Sequence, residues 1–326
     1  MRKLWEAARM ILKALSFDGI EVEASRHLAD LKRLDPMKIF YKTTDEKIYN
    51  GEHEVPVRLF FSDEEMKNAY ENKILVNPDV LLFFHGGGWV TESIDTYERI
   101  CARLAGETGH LVAAVEYRLA PEHKFPAGLE DCYAAAKRLF TDYRELRLDP
   151  ERITLIGDSA GGNLAAAVSL LARDRGDFFP KRQILMYPAT YNDYSEASPF
   201  PSVKENGSDY LLTAGKMQDY IHLYAGKEAD FQNPYFAPYL EENLEDQPDT
   251  LILTAEFDPL RDEGEAYGNR LEEAGNQVEM HRIKDALHGY FALGVRHQAV
   301  RESLEYIKAF LRRDDSESEK GTLEKA

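Results

Sequence analysis

Five short apolar runs set the first constraint on how this chain folds. Residues 80–84, 111–115, 153–156, 184–187 and 251–254 are each apolar throughout, save Thr154 and Thr254, rather than alternating. A strand with one face in water alternates apolar and polar residues, whereas a strand covered on both faces does not. Helical stretches near 95–106, 128–143, 160–174 and 260–274 lie between or after these runs, with a last one near 298–312. Strand–helix alternation builds βαβ units, so the expected class is α/β, with a mostly parallel central sheet flanked by helices. True alternation occurs ahead of them, at 47–61, where Val55, Val57 and Leu59 are spaced by polar neighbours and Asn50-Gly51 marks a hairpin turn. A Lys-, Glu- and Asn-rich connector to about Asn77 follows.

Three segments stand outside this rhythm. Leu4, Ala8, Ile11 and Leu15 share one face of an amphipathic helix over 4–15, and a polar helical stretch covers about 22–34. After Tyr187-Pro188 the chain runs through a polar stretch and a helix near 214–225 before the sheet resumes at Leu251. A connection that long is usually functional, often a lid. The polar, charged end at 314–326 reads as a disordered tail.

The formal net charge of -18 makes nucleic acid and anionic membrane surfaces poor partners. No run of about 18 apolar residues appears, so no transmembrane helix is expected. Glu6, Arg9 and Lys13 interrupt any secretory apolar stretch at the N-terminus. Cys101 and Cys132 read as small buried hydrophobes on helices, with no metal-ligand spacing around either. A reducing cytoplasm fits that usage.

Gly157-Asp158-Ser159-Ala160-Gly161 follows the apolar strand 153–156 and precedes an Ala- and Leu-rich helix. A strand–turn–helix around G-x-S-x-G is a nucleophile elbow: the serine sits on a strained turn, and glycines at both sides avoid clashes with neighbouring backbone. His85-Gly86-Gly87-Gly88-Trp89 directly follows strand 80–84. Successive glycines leave backbone N–H groups bare at a strand's carboxyl end, where open α/β sheets bind ligands, and such donors stabilise a tetrahedral oxyanion. His85 organises that loop rather than transferring protons. A serine nucleophile needs a base, and the base an orienting acid, in the chain order Ser…Asp/Glu…His. Of the histidines after Ser159, His222 falls in the helix near 214–225, His281 in the strand-like run 277–283 and His297 at a helix start. His288 stands in a loop beyond a strand, where a base belongs. Asp258, just past the strand 251–254 and before a helix that Pro259 opens, is the favoured acid, with Glu256 and Asp262 as competitors.

The four blocks His85-Gly-Gly-Gly-Trp89, Tyr117-Arg-Leu-Ala-Pro-Glu122, Gly157-Asp-Ser-Ala-Gly-Gly-Asn163 and Asp258-Pro-Leu-Arg-Asp-Glu263, followed by His288-Gly289, resemble the hormone-sensitive-lipase-like family of microbial carboxylesterases. The resemblance implies an α/β-hydrolase fold with a helical cap and a triad of Ser159, Asp258 and His288, choosing Asp258 over Asp262. It implies Gly87, Gly88 and Ala160 as oxyanion donors, with Gly86 shaping the loop, and ties Arg118 and Glu122 into polar contacts. It divides the chain into an N-terminal helical cap segment (1–45), a catalytic core in two parts (46–190 and 231–313), an inserted cap segment (191–230) and the tail (314–326).

The implied chemistry is carboxylic ester hydrolysis through an acyl-enzyme, on short- to medium-chain acyl esters of small molecules, with neither metal nor organic cofactor. A deacetylase of acetylated sugars, or a hydrolase of lactones or amides, would use the same groups. A non-catalytic binding protein on this fold is disfavoured by His288, and a membrane-associated lipase rests only on the N-terminal amphipathic helix. Whether the chain forms a homo-oligomer is not written in the sequence.

Overall fold

The computed structural model describes residues 19–293 and 297–312. The amphipathic helix read over 4–15 and the tail at 314–326 lie outside them.

Eight strands form one sheet in the order β1-β2-β4-β3-β5-β6-β7-β8. The hairpin β1 (Thr43–Tyr49) and β2 (Glu54–Phe60) is antiparallel, and β2 meets β4 (Leu111–Val115) antiparallel. From β4 onward every pairing is parallel, through β3 (Val80–Phe84), β5 (Ile153–Asp158), β6 (Arg182–Met186), β7 (Asp249–Phe257) and β8 (Val278–Leu287). The continuous apolar runs are the parallel strands, because helices cover both of their faces. Side chains alternate across β3: Val80, Leu82 and Phe84 join one core, and Leu81 and Phe83 the other. All five are at most 1% exposed, and each such burial stabilises by about 1.5–3 kcal/mol.

Helix α1 (Val22–Asp30) precedes the sheet, and α2 (Glu64–Glu71) lies in the segment read as a connector. That reading is corrected here: Asp63 caps α2 by accepting from Met66 N, and Glu64 and Glu65 fill its first turn. α3 (Ile94–Thr108) and α9 (Gln298–Leu311) cover one face of the sheet, through Ile100, Leu104, Val300 and Leu304. α4 (Ala127–Thr141), α5 (Ala160–Arg175) and α8 (Arg261–Glu273) cover the other, through Leu129, Leu164, Tyr267 and Leu271. α8 begins at Arg261, so Pro259 stands two residues ahead of the helix it was expected to open. Between β6 and β7 lie α6 (Pro201–Asn206) and α7 (Ala214–Tyr224).

Cys101 and Cys132 are free and fully buried, one in each core. No described helix is long and apolar enough to cross a membrane.

Candidate active site

Ser159 sits between the last residue of β5 and the first of α5, at φ 55° and ψ -119°. A non-glycine residue held there costs about 1–3 kcal/mol, so its surroundings must over-determine it. Its N–H donates to Met186 O (2.9 Å), and its carbonyl accepts from Asn163 N (3.0 Å) and Ala189 N (3.2 Å). The flanking glycines are required by close backbone passes. A Cβ on Gly157 would overlap the Gly161 carbonyl, and one on Gly161 the Phe84 carbonyl. α5 starts at Ala160, whose N–H is one of the unpaired donors of a helix N-terminus.

β7 ends one residue before Asp258, and β8 one residue before His288. The parallel pairing of β5, β6, β7 and β8 therefore delivers Ser159, Asp258 and His288 to the same edge of the sheet. His288 Nε2 lies 2.9 Å from Ser159 Oγ, and His288 Nδ1 lies 2.7 Å from Asp258 Oδ2. Asp258 is fully buried, and its other oxygen accepts from Leu260 N (2.9 Å). With the carboxylate accepting from Nδ1–H, the imidazole presents a bare Nε2 to the hydroxyl. That geometry can take the hydroxyl proton as the oxygen attacks a carbonyl carbon.

The competing groups are engaged elsewhere. Glu256 accepts from Asp285 N, and Asp262 accepts from Ser202 N and pairs with Arg261. His222 stands beside Gln218 and Phe231, His281 beside Glu279 and Tyr306, and His297 occupies the position just before α9.

The glycine run follows β3 as the strand pattern requires. Gly86 N–H donates to Asp158 Oδ1 (2.9 Å), so it is committed to the loop. Gly87 (φ 105°) and Gly88 (φ 60°) are both left-handed, and among the described residues their N–H groups have no protein acceptor. A Cβ on Gly87 would meet the Thr91 carbonyl and Glu92, and one on Gly88 would enter the Tyr220 ring. His85 stacks on Tyr117 (4.3 Å between centroids), and its Nδ1 bonds Gly86 O (2.8 Å). In the block at 117–122, Arg118 makes a two-point contact with buried Asp131, and Glu122 accepts from Arg26.

The sequence reads Asp158 only as part of the elbow motif and gives Glu263 and Asn206 no role. Asp158 also accepts from Tyr97 and Tyr187 hydroxyls (2.9 and 3.3 Å); burial pushes its carboxyl up despite these bonds. Glu263, in α8, is fully buried and collects Thr190 N, Tyr191 N and Tyr194 OH on one oxygen. Burial pushes its carboxyl up to about 8. Asn206, in α6, donates to the Asp258 carbonyl (3.2 Å), so the insertion touches the loop that carries Asp258. The hint for Glu263 in the sequence is that it falls inside the quoted block at 258–263.

A family model described as alpha/beta hydrolase fold matches residues 81–292. Esterase LipI of Mycobacterium tuberculosis is 37% identical over 275 residues, covering 84% of this chain and 82% of that protein. An arylesterase of Saccharolobus solfataricus is 34% identical over 275 residues, covering 84% of each. The solved structure of an esterase from Pyrobaculum calidifontis superposes with a TM-score of 0.81 at 33% identity, over 94% of this chain and 97% of that one.

Proposed function

The chain belongs to the alpha/beta hydrolase fold family, among the hormone-sensitive-lipase-like carboxylesterases, and from that premise we propose how it hydrolyses carboxylic esters. Ser159 Oγ attacks the ester carbonyl while His288 Nε2 takes its proton. Asp258 holds the imidazole and stabilises its charged form. The N–H groups of Gly87, Gly88 and Ala160 bind the oxyanion, an interaction worth about 3–4 kcal/mol per donor in comparable sites. His288 then protonates the departing alcohol, and water releases the acid from the acyl-enzyme by the same proton route in reverse. The observation that carries this reading is the chain of contacts at 2.9 and 2.7 Å from Ser159 through His288 to Asp258.

The substrates are small-molecule esters with short- to medium-chain acyl groups. The Tyr220 ring lying against Gly88 supports a restricted pocket beside the oxyanion donors. In this reading residues 1–45 and 191–230 cap the site, over a core of 46–190 and 231–313. Contacts between Ile20 N and Asp219, and between Tyr220 and Gly88, support that division. The free, buried cysteines accord with a cytoplasmic location. Ser159→Ala tests the proposal: turnover of p-nitrophenyl acetate should fall to the uncatalysed background, and retained turnover would overturn it.

A further inference from the structure

We propose that Arg26, on α1, is a positioning residue for the oxyanion loop, so that the N-terminal segment sets the hydrolysis rate from outside the reacting atoms. The inference rests on the reading of Ser159 as nucleophile and of the Gly87 and Gly88 N–H groups as oxyanion donors.

A run of three glycines cannot hold its own direction, because glycine backbone explores both signs of φ freely. The loop is instead fixed through the carbonyl of Gly87. That oxygen accepts from Val90 N (3.1 Å), Thr91 N (2.9 Å) and Thr91 Oγ1 (3.0 Å). A trans peptide is planar, so its C=O and N–H point in opposite directions. Holding Gly87 O against residues 90 and 91 therefore aims Gly88 N–H the other way. The direction of this donor depends on where Val90 and Thr91 sit.

Arg26 holds Val90 from behind. Its Nε donates to Val90 O (2.9 Å) and its Nη2 to Ala120 O (2.9 Å). Ala120 N in turn donates to Trp89 O (2.9 Å), which closes a second bridge onto the same loop. Both oxygens of Glu122 orient the guanidinium, at 2.7 and 2.8 Å. That ion pair is half in water, with side-chain exposures of 30% and 54%, so it adds little stability by itself; its role is to aim the fork. Six residues on, Lys32 grips the far end of the loop through Glu92 (2.6 Å). A lysine at position 26 carries three N–H donors on a single nitrogen and cannot reproduce the four bonds that the planar guanidinium spreads over three nitrogens.

The test uses the full chain with Arg26→Met and Arg26→Lys, assayed well below each variant's own melting temperature. Three quantities are measured: kcat and KM for p-nitrophenyl acetate, the affinity of a trifluoromethyl ketone whose serine adduct places an oxyanion on the loop, and the affinity of acetate as product. A displaced donor should lower kcat by about 10- to 100-fold. Trifluoromethyl ketone affinity should fall in parallel, with KM and acetate affinity unchanged and a smaller loss for Arg26→Lys. Unchanged kcat in either folded variant overturns the proposal. So does a loss shared equally by ketone and acetate, which marks general damage. If Arg26→Met does not fold, Arg26→Lys decides alone. Failure of the parent reading is separate, because it shows as turnover that survives Ser159→Ala.

Discussion

The ring of Tyr187 meets the imidazole of His288 edge to face, with 5.0 Å between centroids, while its hydroxyl reaches the buried carboxylate of Asp158 at 3.3 Å. The same carboxylate fixes Gly86 at 2.9 Å. One tyrosine thus links the proposed base to the root of the glycine loop at 86–88. Tyr187→Phe keeps the ring and should retain kcat within about 5-fold, whereas Tyr187→Ala frees the imidazole and should lose 10-fold or more. Both are read as kcat at low temperature, since the truncation also costs about 3–5 kcal/mol of stability. Equal kcat in the two variants would show that the ring does not position the base.

Asp258 accepts from one imidazole nitrogen, Nδ1, and sits fully buried. Asp258→Asn keeps the shape but offers an amide to Nδ1, which favours the wrong tautomer. By analogy with the serine-protease triad, kcat should fall by about 10⁴. Steady-state turnover of a p-nitrophenyl ester measures this, and a loss under 10-fold would remove Asp258 from the role.

Glu263 makes stability depend on pH. Its folded-state carboxyl is pushed to about 8 by burial, above the ordinary 4.5. Between those values the folded chain keeps a proton that the unfolded chain releases. Stability from this group is therefore full below about pH 4.5 and is lost as pH rises through 8. All three donors converge on one oxygen of Glu263, so an amide preserves their acceptor. Melting temperatures of wild type and Glu263→Gln should diverge as pH is raised from about 5 to about 9, with wild type losing more. Parallel curves would contradict the assignment.

Gly161 passes against the Phe84 carbonyl so closely that no Cβ fits. The obstacle is backbone from β3, which cannot rotate away as a side chain would. Gly161→Ala should unfold the chain or cost at least about 3 kcal/mol, in chemical denaturation. Gly176→Ala is the contrast: its Cβ meets open space, so only its left-handed φ of 66° resists, at about 1 kcal/mol.

The family resemblance names the triad and chooses Asp258 over Asp262; the pattern of residues along the chain is enough to place the parallel strands and the elbow. Each is dictated by neighbours a few residues away. A strand buried on both faces must be continuously apolar, as at 80–84, and a helix entered from a tight turn must carry glycine where backbones touch, as at Gly157 and Gly161. Helix α2 escaped the same reading because only Met66 and Tyr70 turn inward and its surface is charged; the capping Asp63 before Glu64 and Glu65 was the available signal.

The supports of the site came from folding alone. Arg26 reaches Val90 across 64 positions, Glu263 reaches Thr190 across 73, and Asn206 reaches Asp258 across 52. No periodicity or turn rule acts over such separations, because which arginine meets which carbonyl depends on how β3, β6 and β7 register and on where the segments before and between them come to rest. Local sterics choose the elements and the reacting groups. Long-range packing chooses what holds those groups still.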